Sequence, residues 1–333
     1  MPKSSSEKPK QKNLRALVLG ISCALALGLF LLFLANKTEI EDYFKGLSYE
    51  PTEEMILIRD SLGLTDDGLR IFNAAHPVLD SRDDFNRDCD SSNPDIAVYG
   101  CYYSDKIFVY NIDSEELAGF RESTAAHELL HAVWARLSGV EKARLIPLLE
   151  SGYAENKSVL EETLEAYDES EKIDELYVRL ATQIKNLSPE LEAHYSKIFS
   201  DQDKIVEFYD SYVTPFEELN KKIEELGKEL ETLKSDIDAK TLAYESRSEK
   251  FNADVAEFNN CANTAGCFSS DWAFSTRRYS LISEEENLND LYNELNAMID
   301  SYNSKVEIYN SNILHSNTLQ SLINSNSSLE NIE

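Results

Sequence analysis

The sequence is poor in positive charge. Its 32 lysines and arginines stand against 61 aspartates and glutamates, which gives a formal net charge of −29. The phosphates of DNA and RNA repel such a polyanion, so we expect no nucleic-acid partner. Acidic lipids would repel the body of the protein for the same reason. The charge favours solubility, but it does not identify a partner.

Charge is absent altogether from residues 16–35, which read ALVLGISCALALGLFLLFLA. Twenty apolar residues are about the length of a helix that crosses a bilayer. Basic residues precede the run and the acidic stretch EIED follows it. The positive-inside rule therefore predicts a cytoplasmic tail at 1–15, a transmembrane helix at 16–35 and an extracytoplasmic chain after it. A cleaved signal peptide is the alternative, but the run is long for one and lacks a clear cleavage site.

Cysteine is also scarce, with five in the chain and no CxxC spacing. Apart from Cys23 in the apolar run, the cysteines form two close pairs, Cys89 with Cys101 and Cys261 with Cys267. In an exported, oxidising compartment, pairs of this kind are typical of disulfides. Metal binding is the alternative, although the two pairs lie far apart in the sequence.

The rest of the chain predicts an α+β protein that is predominantly α. A polar stalk is expected at 36–51, followed by a domain at 52–214. Within that domain, β-branched and aromatic residues on both sides of Ser104 and Asp105 predict a hairpin over 96–112. Two short helices are expected before the hairpin, over 52–75, and after it helices are expected at about 123–137, 141–153, 158–186 and 189–212.

Heptad spacing marks the C-terminal part of the chain. One apolar heptad begins at Phe216 and reaches Phe258, and a second with the same spacing runs from Leu281 to Tyr309. Such a pattern predicts an antiparallel coiled-coil hairpin at 215–313, with a polar tail at 314–333. A coiled coil with another chain, either a partner or a second copy, is the alternative.

The motif that carries chemistry is HExxH, at His127, Glu128 and His131 within TAAHELLHAVW. On a helix, this spacing puts both imidazoles on one face, where they can share a Zn²⁺ ion. Glu128 would lie beside the open coordination position and could take a proton from a water molecule there. With only five histidines in the chain, a chance match has odds of about one in a hundred. Two ordinary histidines on an amphipathic helix are the alternative.

At this motif the chain resembles the zincin metallopeptidases. The resemblance implies a zincin-like domain in which one strand of the hairpin lines the cleft and binds extended substrate by strand addition. A merely structural hairpin is the alternative. The chain also resembles a group of uncharacterised bacterial membrane-anchored proteins with a C-terminal coiled coil. Besides the motif and the stretch ELYVRLATQIKNLSPELEAHY, that likeness is carried by Phe85, Asn86, Cys89, Gly100 and Cys101.

A catalytic zinc usually has a third protein ligand, but the third histidine of HExxHxxGxxH is absent here. A gluzincin-like arrangement implies a glutamate on a following helix, and Glu175 in IDELYVRLATQ is the expected ligand. Asp174 would then orient a histidine. The alternatives for the third ligand are Glu161, Glu162, Glu165, Asp168 and His194. The candidates for stabilising an oxyanion are Tyr177, His194 and Tyr195.

Together these features predict a membrane-anchored zinc metallopeptidase on the extracytoplasmic side of the cell membrane. Zinc-activated water would hydrolyse a peptide bond, with Glu128 as the base and His127, His131 and Glu175 as the ligands. The expected substrates are envelope or extracellular polypeptides. The alternative function is an envelope scaffold or adaptor that acts through the coiled-coil hairpin and has a structural or inactive zinc site.

Overall fold

The structure is a computed structural model that describes residues 17–22, 25–28, 30, 33–34, 36–89, 99–165, 167–168 and 171–325. The chain divides into two compact units. The first contains Met1–Val213 and Ile323–Glu333, and the second contains Thr214–Leu322. Helices dominate, and the described residues contain one three-stranded sheet. The predicted class, α+β with a predominance of α, is therefore confirmed.

The described helices and strands follow one another in a simple order. The helices of the first unit are α1 (Lys37–Gly46), α2 (Glu53–Ser61), α3 (Asp66–Ala74), α4 (Arg82–Asp88), α5 (Phe120–Arg136), α6 (Gly139–Glu155), α7 (Lys157–Glu165), α8 (Lys172–Gln183) and α9 (Pro189–Tyr195). Its strands are β1 (Val78–Asp80), β2 (Gly100–Tyr103) and β3 (Lys106–Tyr110). Two longer helices follow, α10 (Gln202–Ala262) and α11 (Asp271–Ile323).

Short polar side chains set the beginnings of several helices. The hydroxyls of Thr52, Thr65 and Ser188 each accept a hydrogen bond from a backbone N–H in the first turn of the following helix. Ser138 and Glu141 form a reciprocal capping box at the start of α6. Such caps satisfy amide groups that have no partner inside the helix.

Two of the predicted helices are interrupted in the structure. The stretch 158–186 divides into α7 and α8, and 189–212 divides into α9 and the start of α10. Tyr167 and Asp168 lie outside the helices. Neither 166–171 nor 196–201 contains glycine or proline, so the sequence pattern did not reveal the breaks.

The sheet has the order β1-β3-β2. Of the hairpin predicted over 96–112, the part from Gly100 to Tyr110 is present, with β2 antiparallel to β3 and a two-residue turn at Ser104 and Asp105. Positions 96–98 lie outside the described residues. Both turn residues have positive φ, 51° and 62°, as a tight right-twisted hairpin requires. Strand β1 pairs with β3 in parallel and was not predicted, because three residues are too few to show an alternating pattern.

Helix α5 lies at the centre of the first unit. It packs against α8 on one side and against β2 and β3 on another, with α2 and α3 also in contact. Its apolar side chains are almost completely buried, namely Ala125, Ala126, Leu129, Leu130, Ala132 and Val133. The HExxH helix is therefore a core helix, fixed by packing on several sides.

The N-terminal region shows less than the sequence predicts. Within the described residues, no helix is both long and apolar enough to cross a membrane. The predicted tail at 1–15 and parts of the predicted span at 16–35 lie outside those residues, so both stay predictions. The segment 36–51, predicted to be a polar stalk, contains α1, which packs against α3.

The second unit consists of most of α10 and α11. Ion pairs join Glu229 to Lys305 and Lys240 to Glu294. The residue that lies later in α10 pairs with the residue that lies earlier in α11, so the two helices run antiparallel. Both helices extend beyond 215–313, and α11 takes in much of the predicted polar tail. Near the loop, Cys261 and Cys267 lie at disulfide distance, with Cα atoms 5.3 Å apart.

Candidate metal centre

The HExxH helix begins at a position that only glycine fits. Gly119 precedes α5 with φ of 90°, and a Cβ atom there would lie 2.5 Å from the carbonyl oxygen of Phe208. A positive φ favours glycine, and so does the close approach of another backbone, because glycine has no Cβ. From this start, α5 continues unbroken through both histidines.

The structure brings His127, His131 and Glu175 together. The two Nε2 atoms lie 3.2 Å apart. Glu175 Oε2 is 3.4 Å from His131 Nε2, and Glu175 Oε1 is 3.7 Å from His127 Nε2. Among the described residues, this trio is the one group of histidines, cysteines and acids placed to share a metal ion.

These separations match those of a small tetrahedral cation. With metal–ligand bonds of about 2.0–2.1 Å, a tetrahedron has ligand–ligand edges of about 3.3–3.4 Å. Glu175 is only 3% exposed, and its Oε1 is buried without a hydrogen bond. The Arg179 guanidinium, with Nε 2.6 Å from this oxygen, compensates part of the cost of burying the charge. Imidazole nitrogens and carboxylate oxygens are the usual non-sulfur ligands of zinc. The residues present therefore fit a zinc ion.

Electrostatics also favour a positive charge at this point. Burial opposes the imidazolium form of His131, but hydrogen bonds to Asp174 and Glu175 outweigh it and raise the pKa of His131 to about 10. Burial alone would raise the pKa of Glu175, yet both imidazoles and Arg179 hold it well below its usual value. A cation between these groups, whether a proton or a metal ion, is stabilised.

Asp174 orients one of the two histidines. Its Oδ1 lies 2.9 Å from His131 Nδ1, which donates the hydrogen bond. With Nδ1 protonated, the lone pair of the neutral imidazole lies on Nε2, and this atom faces Glu175 and His127. The neighbouring acids on α8 thus act differently, since Glu175 faces the centre and Asp174 sets the orientation of a ligand ring.

We expect Asp174→Ala to weaken zinc binding by about 10- to 100-fold, the usual cost of losing such a supporting carboxylate. Competition with a chromophoric chelator would measure the change. Glu171→Ala is the matched control, because this exposed acid lies just before the same helix. Equal affinity in the two variants would show that the hydrogen bond to His131 contributes nothing.

Glu128 is almost completely buried beside the centre. It is 5% exposed, and its pKa is raised by burial and further by Glu175 and Asp174, while both imidazoles lower it. Strand β2 approaches it at Gly100, where an added Cβ would lie 2.7 Å from Glu128 Cγ and 2.6 Å from Thr124 Cγ2. A side chain at position 100 would therefore have to displace that of Glu128.

We expect Gly100→Ala to lower the free energy of unfolding by about 1–3 kcal/mol, the usual cost of overpacking a core, and to reduce turnover by displacing Glu128. Gly139→Ala is the control, since nothing lies within 4 Å of an added Cβ there. Thermal unfolding and hydrolysis would be measured on both variants.

A double variant separates stability from positioning. Adding Thr124→Ser to Gly100→Ala removes the nearer methyl contact, so stability should recover in part while turnover stays low. Full recovery of turnover would show that the contact with Glu128 does not matter.

Sequence reasoning missed the charged residue next to Glu175, the candidate third ligand. Arg179 Nε lies 2.6 Å from Glu175 Oε1, but neither atom has hydrogen-bond geometry. We regard the contact as an ion pair, because close opposite charges attract at any angle. The spacing of four residues on one helix could have revealed it. Tyr167, which interacts with the same guanidinium, left no signal in the sequence.

Other sequence candidates lie elsewhere. Glu162 and Glu165 are exposed on α7 and do not belong to the metal group. The three oxyanion candidates form a buried cluster. In it the Tyr177 hydroxyl is 3.0 Å from His194 Nε2, and the Tyr195 hydroxyl donates to the carbonyl of Tyr177. Burial lowers the pKa of His194 to about 4, as expected of a neutral core histidine. The Tyr177 and Tyr195 hydroxyls thus have partners inside the core, whereas His194 Nδ1 is buried without one. A role for any of the three in stabilising an oxyanion stays a prediction.

The first cysteine pair lies close to the site. Cys89, directly after α4, and Cys101, in β2, lie at disulfide distance with Cα atoms 6.0 Å apart. Cys101 follows Gly100, the residue that packs against Glu128. The pairing therefore ties α4 to the strand that borders the site.

Comparisons of the chain with models of protein families, with curated proteins and with solved structures find no match.

Proposed function

We propose that this protein is a zinc metallopeptidase. The observation that carries the proposal is the convergence of His127, His131 and Glu175 at tetrahedral spacing, with a buried glutamate, Glu128, next to the ligands in the sequence. When bound, zinc supplies Lewis acidity, which lowers the pKa of water and polarises a carbonyl group. Three protein ligands leave a fourth position free, as in catalytic rather than structural zinc sites.

The residues of the chain have distinct tasks in this proposal. Both histidines and Glu175 hold the metal ion, and Asp174 keeps His131 in the correct tautomer. Glu128 takes a proton from the attacking water and passes it to the leaving amine. Burial favours this task, because a carboxylate with a raised pKa is a stronger base than an exposed one.

Strand β2 supports a polypeptide as the substrate. It lies at the edge of the sheet, and one of its sides faces no strand among the residues that the structure describes. An extended peptide could pair with this edge through backbone hydrogen bonds. Gly100 would bring that backbone close to Glu128. The apolar run at 16–35 supports an anchored, extracytoplasmic enzyme, and paired cysteines agree with an oxidising compartment.

Removal of the metal tests the proposal. We expect the purified full-length chain to hold about one zinc ion and to cleave an unstructured protein such as casein. Dialysis against a chelator should abolish cleavage, and added zinc should restore it. Undiminished cleavage by the metal-free chain would overturn the proposal. Bound zinc without cleavage of any tested polypeptide would instead favour the scaffold alternative.

A further inference from the structure

Helix α1 turns a polar face toward the protein. Asp42 is 2% exposed and accepts hydrogen bonds from Arg70 Nη1 at 3.1 Å and from Arg136 Nε at 3.0 Å. Arg136 is the last residue of α5, the helix that carries both histidines. Loss of either arginine would leave the buried Asp42 carboxylate without one of its charge partners, which is costly. These ion pairs therefore hold α1 against α3 and α5.

A second set of contacts extends this attachment to the hairpin. Arg136 also donates to the Tyr102 hydroxyl at 3.0 Å and to Asp105 at 2.8 Å. Asp105 in turn forms an ion pair with Lys45 of α1. Helix α1, the hairpin turn and the end of α5 therefore share one network of charges, and the position of α1 is fixed relative to the metal centre.

The apolar residues of α1 face solvent. Tyr43 and Phe44 are 58% and 65% exposed, and Leu47, just after the helix, is 66% exposed. Together with the half-buried Ile40, these residues follow one another at intervals of three or four positions along the chain, so they form one stripe along the helix. In a soluble domain such a stripe normally faces the core and the charged side faces water. On α1 the charged side faces the protein and the apolar stripe faces solvent, which indicates that the stripe is a contact surface.

The neighbouring sequence identifies what covers this surface. The apolar run 16–35 ends two residues before α1 begins at Lys37. In the described part of that run, large side chains such as Leu17 and Phe30 are also exposed, at 60% and 57%. Tyrosines and other amphipathic side chains are enriched where a membrane segment meets water. Chain continuity thus keeps the stripe within about 18 Å, along the helix, of the end of the run.

We propose that Tyr43, Phe44 and Leu47 dock the first unit on the lipid surface next to the anchor. The exposed charges of α1 balance one another, since Lys37 and Lys45 oppose Glu39 and Glu41. The net charge of −29 on the whole chain disfavours anionic lipid, so zwitterionic lipid is the expected surface. The contact rests on the proposed anchor, but it does not depend on hydrolysis. Because the charge network joins α1 to α5, docking fixes the orientation of the metal centre toward the bilayer.

Photo-crosslinking of the full-length chain in phosphatidylcholine nanodiscs tests this contact. A benzophenone amino acid would replace Phe44 in one variant and Val140 in a control. Val140 is 82% exposed at the start of α6, so it is a solvent-facing apolar position away from the stripe. We expect the probe at position 44 to attach to phosphatidylcholine at least ten times more often than the probe at position 140.

Three results would overturn the proposal. The first is equal lipid attachment at the two positions. The second is attachment of position 44 only to protein, whether the same chain or a second copy. The third is failure of the full-length chain to enter nanodiscs. Matching thermal unfolding of the two variants would show that neither probe disturbs the fold. Casein cleavage, measured on the same samples, reports separately on the peptidase proposal.

Discussion

Glu128→Gln should keep zinc at full occupancy and lower turnover by about 10²- to 10⁴-fold, the range expected when a general base is removed. Glutamine has nearly the same shape, so it can occupy the same buried space beside Gly100 and Thr124. Its amide cannot accept a proton from water at neutral pH. The proposed metal ligands are untouched by this change. Metal analysis would measure the zinc content, and casein cleavage would measure turnover.

Glu122→Gln is the matched control, because this residue lies six positions earlier on the same helix and outside the metal group. It should match the unmodified chain in zinc content and turnover. Glu128→Gln with full activity would remove Glu128 from the mechanism. Loss of zinc in that variant would instead assign Glu128 a part in metal binding.

Glu175→Gln should weaken zinc binding by more than about 100-fold, since loss of a mere supporting partner already costs 10- to 100-fold. An amide oxygen carries no full charge and is a poorer ligand for zinc than a carboxylate. The change also leaves Arg179 without its anionic partner, so some loss of stability is expected. Chelator competition at a temperature well below the unfolding midpoint would separate affinity from folding.

Glu162→Gln is the control for the third ligand, because Glu162 was an alternative in the sequence and is exposed in the structure. Its affinity for zinc should stay unchanged. A large loss in Glu162→Gln, with none in Glu175→Gln, would show that the metal centre takes its third ligand from α7 and that the assignment of Glu175 is wrong.

Local patterns carried the parts of the fold that depend on neighbouring residues. Four-residue spacing put His127 and His131 on one face of a helix, because the helical repeat dictates it. Thr65 begins α3 and the turn at Ser104 and Asp105 closes the hairpin, since caps and tight turns are decided by a few adjacent side chains. Strand β1 and the breaks after α7 and α9 escaped the same reasoning, because short elements show little periodicity.

The sequence by itself determined that two imidazoles share one helix face with a glutamate between them, and that an apolar run precedes the domain. Each of these features depends only on residues close together in the chain. Only the tertiary structure decided which distant acid joins them. Glu175 and Glu162 are the same type of residue, and each lies on a helix that follows the motif. They differ in burial, because Glu175 is covered when α8 packs against α5. The fit of Gly100 against Glu128 was likewise decided by how β2 meets α5. Contacts between remote segments depend on packing of the whole chain, and no local period records them.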